Sequence, residues 1–267
     1  MTSEAKFQMP TTNTGYYEQV GERATQPFAT TALNGFMPID GLSLLDVGAG
    51  TGGLAVAAAS RGAHVTAIDI NTTMILRCQE RLKSFDLCSA EVMDFCELKF
   101  AASAFDIAVS NFGILAYLNW QAGLAEMVRV TRSNGHIALV MWTHGHDCSP
   151  AHVMKRVFNE LFPDREIWPS GMFPAFSEDS LKAHLARAGC YGIDVQFVSS
   201  EWIPLRSEHA VAECVPMFNG FPGFAALSGD ELALVIAELE MAFRAYADRE
   251  GIIRLPTKAF LVTAKKM

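Results

Sequence analysis

The sequence predicts an α/β fold built on a doubly wound, Rossmann-like sheet. Between Leu42 and Trp142, short apolar segments alternate with segments whose apolar residues recur at helical spacing. The segment 135–142 is apolar on both faces, as the strands of a buried parallel sheet are. A cluster of glycines follows the first apolar segment, where such a sheet turns into its first helix. These three patterns favour a parallel sheet covered by helices.

Strands and helices alternate through this region. The predicted strands are 42–47, 64–70, 89–93, 105–110 and 135–142, and the predicted helices are 54–60, 71–84 and 120–131. Gly62 is placed to end the first helix, and Asn71 is placed to cap the second. Ile75, Cys78 and Leu82 share one face of that second helix, which is therefore expected to pack on the sheet.

Beyond the fifth strand the pattern changes to longer helices and fewer strands. The predicted helices are 148–162, 177–189, 207–218 and one that opens at Ser228, and the predicted strands are 193–203 and 258–264. Ser177 is placed as a helix cap, and Ser228 and Glu231 form a capping box. Pro216 is expected to break the helix in which it lies.

The length of 267 residues favours one elaborated domain over two full ones. We therefore predict a single domain over 1–267, in which 10–36, 144–176 and 207–250 are additions around a core at 37–142. The chain is 50% hydrophobic and 19% charged, which is the composition of a protein that buries a large core.

Charge and composition narrow the class of partner. The net charge of −8 argues against nucleic acid, because proteins that bind it usually carry a basic patch. Six scattered cysteines without a CxxC pair predict reduced thiols. No apolar signal segment opens the sequence and no apolar run reaches about 18 residues, so we expect a cytoplasmic protein without a membrane partner.

The glycine cluster lies between the first strand and the first helix. Glycines there allow a tight turn and a close approach of the backbone to a ligand, and the helix that follows presents free N–H groups. Asp69 ends the next strand, where a carboxylate can accept both ribose hydroxyls of a nucleoside. The cluster is therefore a candidate nucleoside site.

Two ligands fit the glycines. Gly48, Gly50 and Gly53 satisfy the G-x-G-x-x-G pattern of dinucleotide loops. Asp46 favours the other ligand, because a carboxylate two residues before the first glycine would repel a pyrophosphate. It suits S-adenosylmethionine, which carries a positive sulfonium and a positive ammonium group and no phosphate.

Several motifs then resemble those of one enzyme family. The stretch Asp46–Gly52 resembles motif I of class I S-adenosylmethionine-dependent methyltransferases. Asp69 resembles the acidic ribose ligand of motif II, and Ile70 the apolar residue beside the adenine. Asp94-Phe95 resembles the position where an acidic side chain meets the adenine amino group.

Two further stretches extend the resemblance. Asn111-Phe112-Gly113 resembles motif IV, near the sulfonium and the amino acid portion of the cofactor. Residues 127–135 resemble the turn before strand five, with Arg132-Ser133-Asn134-Gly135 where the family has Lys-Pro-Gly. The resemblance covers residues 15–142 and is to the ubiquinone/menaquinone-biosynthesis-like group (methyltransferase type 11), whose members act on small molecules.

This resemblance implies S-adenosylmethionine as cofactor and S-adenosylhomocysteine as product. It implies a seven-stranded sheet whose last strand is antiparallel and inserted beside the sixth, and segment 255–265 is placed to be that strand. It also implies an N-terminal lid at 10–36 and caps over the substrate site at 144–176 and 207–250. The implied cofactor-binding residues are Tyr17, Arg23, Asp46, Gly48, Ala49, Gly50, Asp69, Ile70, Asp94, Phe95, Asn111 and Phe112.

His144 and His146 are the candidate catalytic bases. Histidine titrates near neutral pH, and both lie just past the carboxyl end of a predicted parallel strand, where ligands bind. Only two metal ligands at this spacing are clear, so no metal site is predicted.

The predicted function is methyl transfer, by in-line displacement, to a small, largely apolar or aromatic molecule. Aromatic residues crowd the segments beyond strand five, as in pockets for flat or apolar ligands. One alternative is a nicotinamide-dependent oxidoreductase that uses the same loop, although no convincing Tyr-x-x-x-Lys pair is present. Another is a non-catalytic S-adenosylmethionine-binding protein. The sequence leaves open the acceptor, the atom methylated and the oligomeric state.

Overall fold

The structure is a computed structural model that describes residues 13–143 and 149–267. Its contacts divide the chain into two compact units. The sheet unit consists of Thr14–Trp142, Pro174–Val198 and Ala259–Met267. Of the described residues, the helical unit contains Asn13, Thr143, 149–173 and Ser199–Lys258.

The strands follow the predicted order closely. In the described part of the chain they are β1 Ser43–Val47, β2 His64–Asp69, β3 Ser89–Val92, β4 Phe105–Asn111, β5 Thr131–Trp142, β6 Cys190–Trp202 and β7 Leu255–Lys266. Their order in the sheet is β3-β2-β1-β4-β5-β7-β6. The pairs β1–β2, β1–β4, β2–β3 and β4–β5 are parallel, whereas β7 is antiparallel to β5. The predicted fold class is therefore confirmed, including the late strand inserted beside the sixth.

Helices and helical turns connect these strands. The α-helices are α1 Thr14–Tyr17, α2 Arg23–Asn34, α3 Gly53–Ala59, α4 Thr72–Leu82, α5 Trp120–Val130, α6 Pro150–Leu161, α7 Glu178–Arg187, α8 Ala210–Phe218, α9 Pro222–Ala225 and α10 Gly229–Arg244. A π-helical turn, Glu18–Glu22, joins α1 to α2, and 3-10 turns lie at Ile114–Ala116 and Ser207–His209. No helix of the described residues is both long and apolar enough to cross a bilayer.

The two faces of the central strands pack into separate clusters, as the alternation of side chains in a strand requires. Leu45 and Val47 of β1 face one buried cluster, which includes residues of α5 and α7. Leu44 faces the other, which includes residues of α2, α3 and α4. By the same alternation, Asp46 is directed toward the face that α3 covers. The carboxyl ends of β1, β2 and β4 then meet at one edge of the sheet, where the candidate site lies.

Two local predictions are corrected by the structure. Pro216 does not break its helix, because α8 continues past Pro216 and ends at Phe218. The turn predicted before strand five is instead part of β5, which begins at Thr131 rather than at Gly135. The pairing with β4 shifts register between Phe105 and Ile107, so a bulge absorbs the extra residues.

Candidate functional site

The glycine loop connects β1 to α3 by a sharp turn of the backbone. Gly48, Gly50 and Gly52 all have positive φ, between 56° and 89°. The N–H groups of Gly48 and Ala49 each donate to the carbonyl of Ile68 at 2.9 Å. The end of β2 therefore holds the start of the loop, and only a glycine-rich sequence adopts this path without strain.

Asp69 is bound to the loop through its side chain. The N–H of Gly50 donates to Asp69 Oδ2 at 2.9 Å, and the N–H of Asn71 donates to Oδ1 at 2.9 Å. Burial raises the pKa of this carboxyl, and backbone donors from Asn71, Gly50 and Ile70 limit the rise. Each oxygen keeps acceptor capacity, since a carboxylate has about four lone-pair sites. The carboxylate is thus fixed in direction and able to accept further hydrogen bonds.

Asp46 is enclosed beneath the loop, with 1% of its surface exposed. Burial raises the pKa of its carboxyl to about 7; a backbone bond from Ala55 opposes the rise, and the charges of Asp69 and Glu22 add to it. Its Oδ2 atom has no hydrogen-bond partner. A residue in this position supports the loop from beneath. Direct contact of Asp46 with a cofactor stays a prediction.

Residues 14–34, which we call the N-terminal segment, lie on the glycine loop, residues 48–53. A Cβ placed on Gly50 would come within 2.9 Å of the hydroxyl of Tyr17, so the two residues are in direct contact. Burial, with the charges of Glu22, Asp69 and Asp46, raises the pKa of the Tyr17 hydroxyl. The predicted tyrosine is therefore brought to the predicted loop.

Asn111 ends β4 and also contacts the N-terminal segment. Its Nδ2 donates to the carbonyl of Thr25 at 3.5 Å, and its Oδ1 is buried without a partner. Phe112 follows in a left-handed conformation, with φ of 56°, which is uncommon for a large side chain. Its N–H donates to Val140 of β5, which ties the residue to the sheet.

Three aromatic rings, which we call the aromatic trio, stand beside Asn111. The ring of Phe112 lies 4.2 Å from that of Trp142 and 5.5 Å from that of Phe28, measured between centroids. Phe28 and Trp142 are 5.6 Å apart in an edge-to-face arrangement. The trio therefore forms an apolar wall at the carboxyl ends of β4 and β5.

A second group of predicted residues lies past the ends of β2 and β3. Ile70 is 66% exposed, and Tyr117 is 53% exposed. The ring of Phe95 packs on that of Tyr117 at 5.6 Å. Asp94 is exposed, and its Oδ1 accepts the N–H of Cys96 at 2.8 Å, so its side chain caps a local turn. Two exposed apolar side chains, those of Ile70 and Tyr117, therefore follow the carboxyl ends of β2 and β4.

Buried polar atoms without partners are concentrated among the predicted residues. Of the residues that the structure describes, six have such atoms, namely Arg23, Asp46, Arg61, Asn111, Trp202 and Thr257. Arg23, Asp46 and Asn111 belong to the predicted cofactor site. Because an unpaired buried polar group is costly, these atoms mark where a polar ligand would be stabilising.

Sequence reasoning missed one part of the site and placed another outside the described residues. Glu22 and Arg81, which no motif indicated, form a hydrogen-bonded group with Thr51 of the loop. The only sequence signal is the helical spacing of charges before and after the loop, which does not identify partners. The candidate bases His144 and His146 lie outside the described residues.

Comparison with known proteins agrees with this geometry. Residues 45–139 match a family model described as a methyltransferase domain. That range runs from β1 into β5 and contains the glycine loop, Asp69 and Asn111. This part of the chain is therefore similar to a methyltransferase domain.

Curated relatives match over part of their length. An uncharacterised protein of Mycobacterium bovis is 29% identical over 163 residues, which are 59% of this chain and 56% of that protein. A demethylmenaquinone methyltransferase of Clavibacter sepedonicus is 33% identical over 102 residues, 38% of this chain and 42% of that enzyme. The chain thus spans about half the length of the curated relatives that it matches.

A solved structure shares the fold at low identity. It is a phosphoethanolamine N-methyltransferase of Haemonchus contortus in complex with S-adenosyl-L-methionine. The TM-score is 0.62 and the identity is 19%, with 100% of this chain and 60% of that chain covered.

Proposed function

We propose that this chain, of which residues 45–139 are similar to a methyltransferase domain, transfers a methyl group from S-adenosylmethionine to a small apolar or aromatic acceptor. The bond between Asp69 and the N–H of Gly50 supports this proposal most directly. It sets a carboxylate at the end of β2 against a glycine loop, which is the arrangement that a ribose needs.

The residues at the loop fit the polar parts of this cofactor. Asp69 would accept the ribose hydroxyls, and the exposed Ile70 would cover one face of the adenine. The unpaired Nη1 of Arg23 suits a carboxylate, and the unpaired Oδ1 of Asn111 suits an ammonium group. Each of these two buried atoms would gain the partner that the protein itself does not supply.

When bound, S-adenosylmethionine supplies an electrophilic methyl group on a positively charged sulfur, and an acceptor atom takes that group with release of S-adenosylhomocysteine. The protein's part is then to hold the reactants and to exclude water. Positioning of this kind can supply about 7–11 kcal/mol in favourable cases. Asp69 and Asn111 stand on rigid strand ends, which suits them to that task.

The aromatic trio supports the apolar character of the acceptor. Phe112 and Trp142 are partly buried, and they lie at the carboxyl ends of β4, which carries Asn111, and of its neighbour β5. A flat, apolar molecule would pack against these rings with a favourable stacking geometry. The likeness to an enzyme named for demethylmenaquinone points to the same class of acceptor. His144 or His146 would serve as a base if the acceptor must lose a proton.

Calorimetry tests the cofactor. S-adenosylmethionine and S-adenosylhomocysteine are expected to bind the wild-type protein, and NADH is not. Asp69→Ala should weaken binding by about 10- to 100-fold, because hydrogen bonds to a charged group contribute about 1.5–3 kcal/mol. Asp164→Ala, which removes an exposed carboxylate of the helical unit, is the matched control and should bind as the wild type does. Binding of NADH alone would replace this proposal with an oxidoreductase.

Turnover tests the reaction itself. The protein is incubated with S-adenosylmethionine and small apolar and aromatic compounds that offer an oxygen, nitrogen, carbon or sulfur acceptor, and S-adenosylhomocysteine is measured by mass spectrometry. Formation that depends on one acceptor class supports methyl transfer. Tight cofactor binding without product across acceptor classes would favour a binding protein.

A further inference from the structure

Two glutamates of the N-terminal segment face two arginines of α4 at matching spacing. Glu18 and Glu22 are four residues apart on the π-helical turn, and Arg77 and Arg81 are four residues apart on α4. Arg77 binds Glu18 through Nε at 2.7 Å and Nη2 at 3.1 Å. Arg81 binds Glu22 through Nη1 at 2.6 Å and Nη2 at 2.9 Å. Each pair is bidentate, which is the strongest geometry for an arginine and a carboxylate.

The Glu22–Arg81 pair is more buried than the Glu18–Arg77 pair. The side chains of Arg81 and Glu22 are 21% and 15% exposed, whereas those of Arg77 and Glu18 are 35% and 22% exposed. Arg81 Nη1 also lies 3.7 Å from Glu18, which links the two pairs. A bidentate pair that water screens less contributes more than an exposed one.

Arg81 also donates hydrogen bonds to the glycine loop. Its Nη1 donates to the carbonyl of Thr51 at 3.0 Å and to the Thr51 hydroxyl at 3.2 Å. That hydroxyl donates in turn to Glu22 Oε2 at 2.7 Å. Thr51 lies between Gly50 and Gly52 and is fully buried. One guanidinium therefore holds both the middle of the loop and the segment that lies on it.

The loop is shaped to admit the glutamate. A Cβ placed on Gly53 would come within 2.6 Å of Glu22 Cδ and of Gln26 Oε1, so only glycine allows this approach. Gln26 also donates to the carbonyl of Gly53 at 3.3 Å. The segment so fastened carries Tyr17 against Gly50, and it carries Arg23.

We infer that Arg81 is a positioning residue, and that its pairing with Glu22 fastens the N-terminal segment over the loop and so sets the rate at which the cofactor is released. This inference rests on the proposed cofactor. Release requires the segment to leave Gly50, and the segment leaves only when the Glu22–Arg81 and Glu18–Arg77 pairs open. The π-helical turn holds both glutamates and would carry that movement, as π turns often lie at functional sites.

The test measures the release of tritiated S-adenosylhomocysteine, chased by excess unlabelled ligand, from full-length variants. Glu22→Gln keeps the shape of the side chain and removes its charge, and release is expected to be about tenfold faster, since loss of a buried charge partner acts on dissociation. Arg81→Lys keeps the charge but loses the bidentate fork, and we expect it also to release faster. Glu18→Gln, in the more exposed pair, should have a smaller effect.

The control is Glu240→Gln, which removes an exposed charge from α10 of the helical unit and should release as the wild type does. Unchanged release rates in both Glu22→Gln and Arg81→Lys, with wild-type ligand binding intact, would overturn the inference. Weaker affinity that arises only from slower association would overturn it too. If the wild type binds no S-adenosylhomocysteine, the proposed function fails first. If Glu22→Gln does not fold, Arg81→Lys decides.

Discussion

Burial changes the charge that Asp46 is expected to carry. The sequence indicates a negative charge that would repel a pyrophosphate. In the structure the carboxyl is enclosed and its pKa rises to about 7, so it is partly neutral near neutral pH. Charge at Asp46 therefore discriminates less between cofactors than the sequence suggests. Asp69 and the similarity of residues 45–139 to a methyltransferase domain support the choice of cofactor more strongly.

The raised pKa of Asp46 predicts a pH dependence of stability. An unfolded aspartate titrates at about 3.9, so between that value and about 7 the folded protein keeps a proton that the unfolded chain has lost. The contribution of Asp46 is present at low pH and is lost as pH rises through 7. Asp46→Asn cannot ionise, so its unfolding free energy relative to the wild type should rise with pH, by about 1.4 kcal/mol per pH unit at most.

Urea denaturation of both proteins between about pH 5 and pH 8 measures this difference. The groups that interact with Asp46 include Asp69, Glu22, Tyr17, Cys78 and the N–H of Ala55, and all are retained in the variant. Asp164→Asn, an exposed aspartate, is the control and should show no slope. A flat difference would show that Asp46 is ionised in the folded protein throughout this range, and a difference that falls with pH would contradict the prediction as well.

At the scale of elements, local signals predicted local structure well. Asn71 caps α4 by accepting the N–H of Met74, as predicted. Ser177 and Ser228 both form the capping boxes that place the starts of α7 and α10. The strands β1 and β4 were found from their apolar runs, because most of their residues are buried on both faces. Such elements are determined by residues that are neighbours in sequence.

Contacts between distant residues were not predictable in this way. Glu22 and Arg81 are 59 residues apart, and each also had other charged residues within reach along the chain. The π-helical turn and the bulge at the start of β5 arise from packing and register, which have no local signature. The aromatic trio joins Phe28, Phe112 and Trp142 from three elements. Sequence patterns indicated the candidate cofactor motifs but not the contacts between them and the N-terminal segment.

The capping box of α10 predicts a measurable cost of its removal. Glu231 N–H donates to Ser228 Oγ, and Ser228 N–H donates to Glu231 Oε2 at 2.9 Å. Ser228→Ala should therefore lower the unfolding free energy by about 1 kcal/mol, the usual cost of a lost N-cap. Ser228→Thr keeps the hydroxyl and serves as the control. Equal stability of all three proteins in urea would mean that the cap does not contribute.

Across the whole molecule, the described residues of the proposed cofactor site belong to one compact unit. The glycine loop, Asp69, Asn111 and the N-terminal segment all lie within the sheet unit. The predicted caps at 144–176 and 207–250 fall mainly in the helical unit, and their role over a substrate stays a prediction. We therefore expect the structural effects of cofactor binding to be found in the sheet unit.

Ligand binding should stabilise the folded protein in proportion to occupancy. At about 100 times its dissociation constant, S-adenosylhomocysteine should add about 2.7 kcal/mol to the unfolding free energy, because it binds the folded state alone. Hydrogen exchange should show new protection in residues 14–34, 48–53 and 69–71, where the N-terminal segment, the loop and the end of β2 meet. Asp69→Ala at the same ligand concentration is the control, and the ligand should raise its unfolding free energy and its protection from exchange much less. Protection gained only within 149–173 and 207–250 would place the ligand in the helical unit and contradict the assignment of the loop.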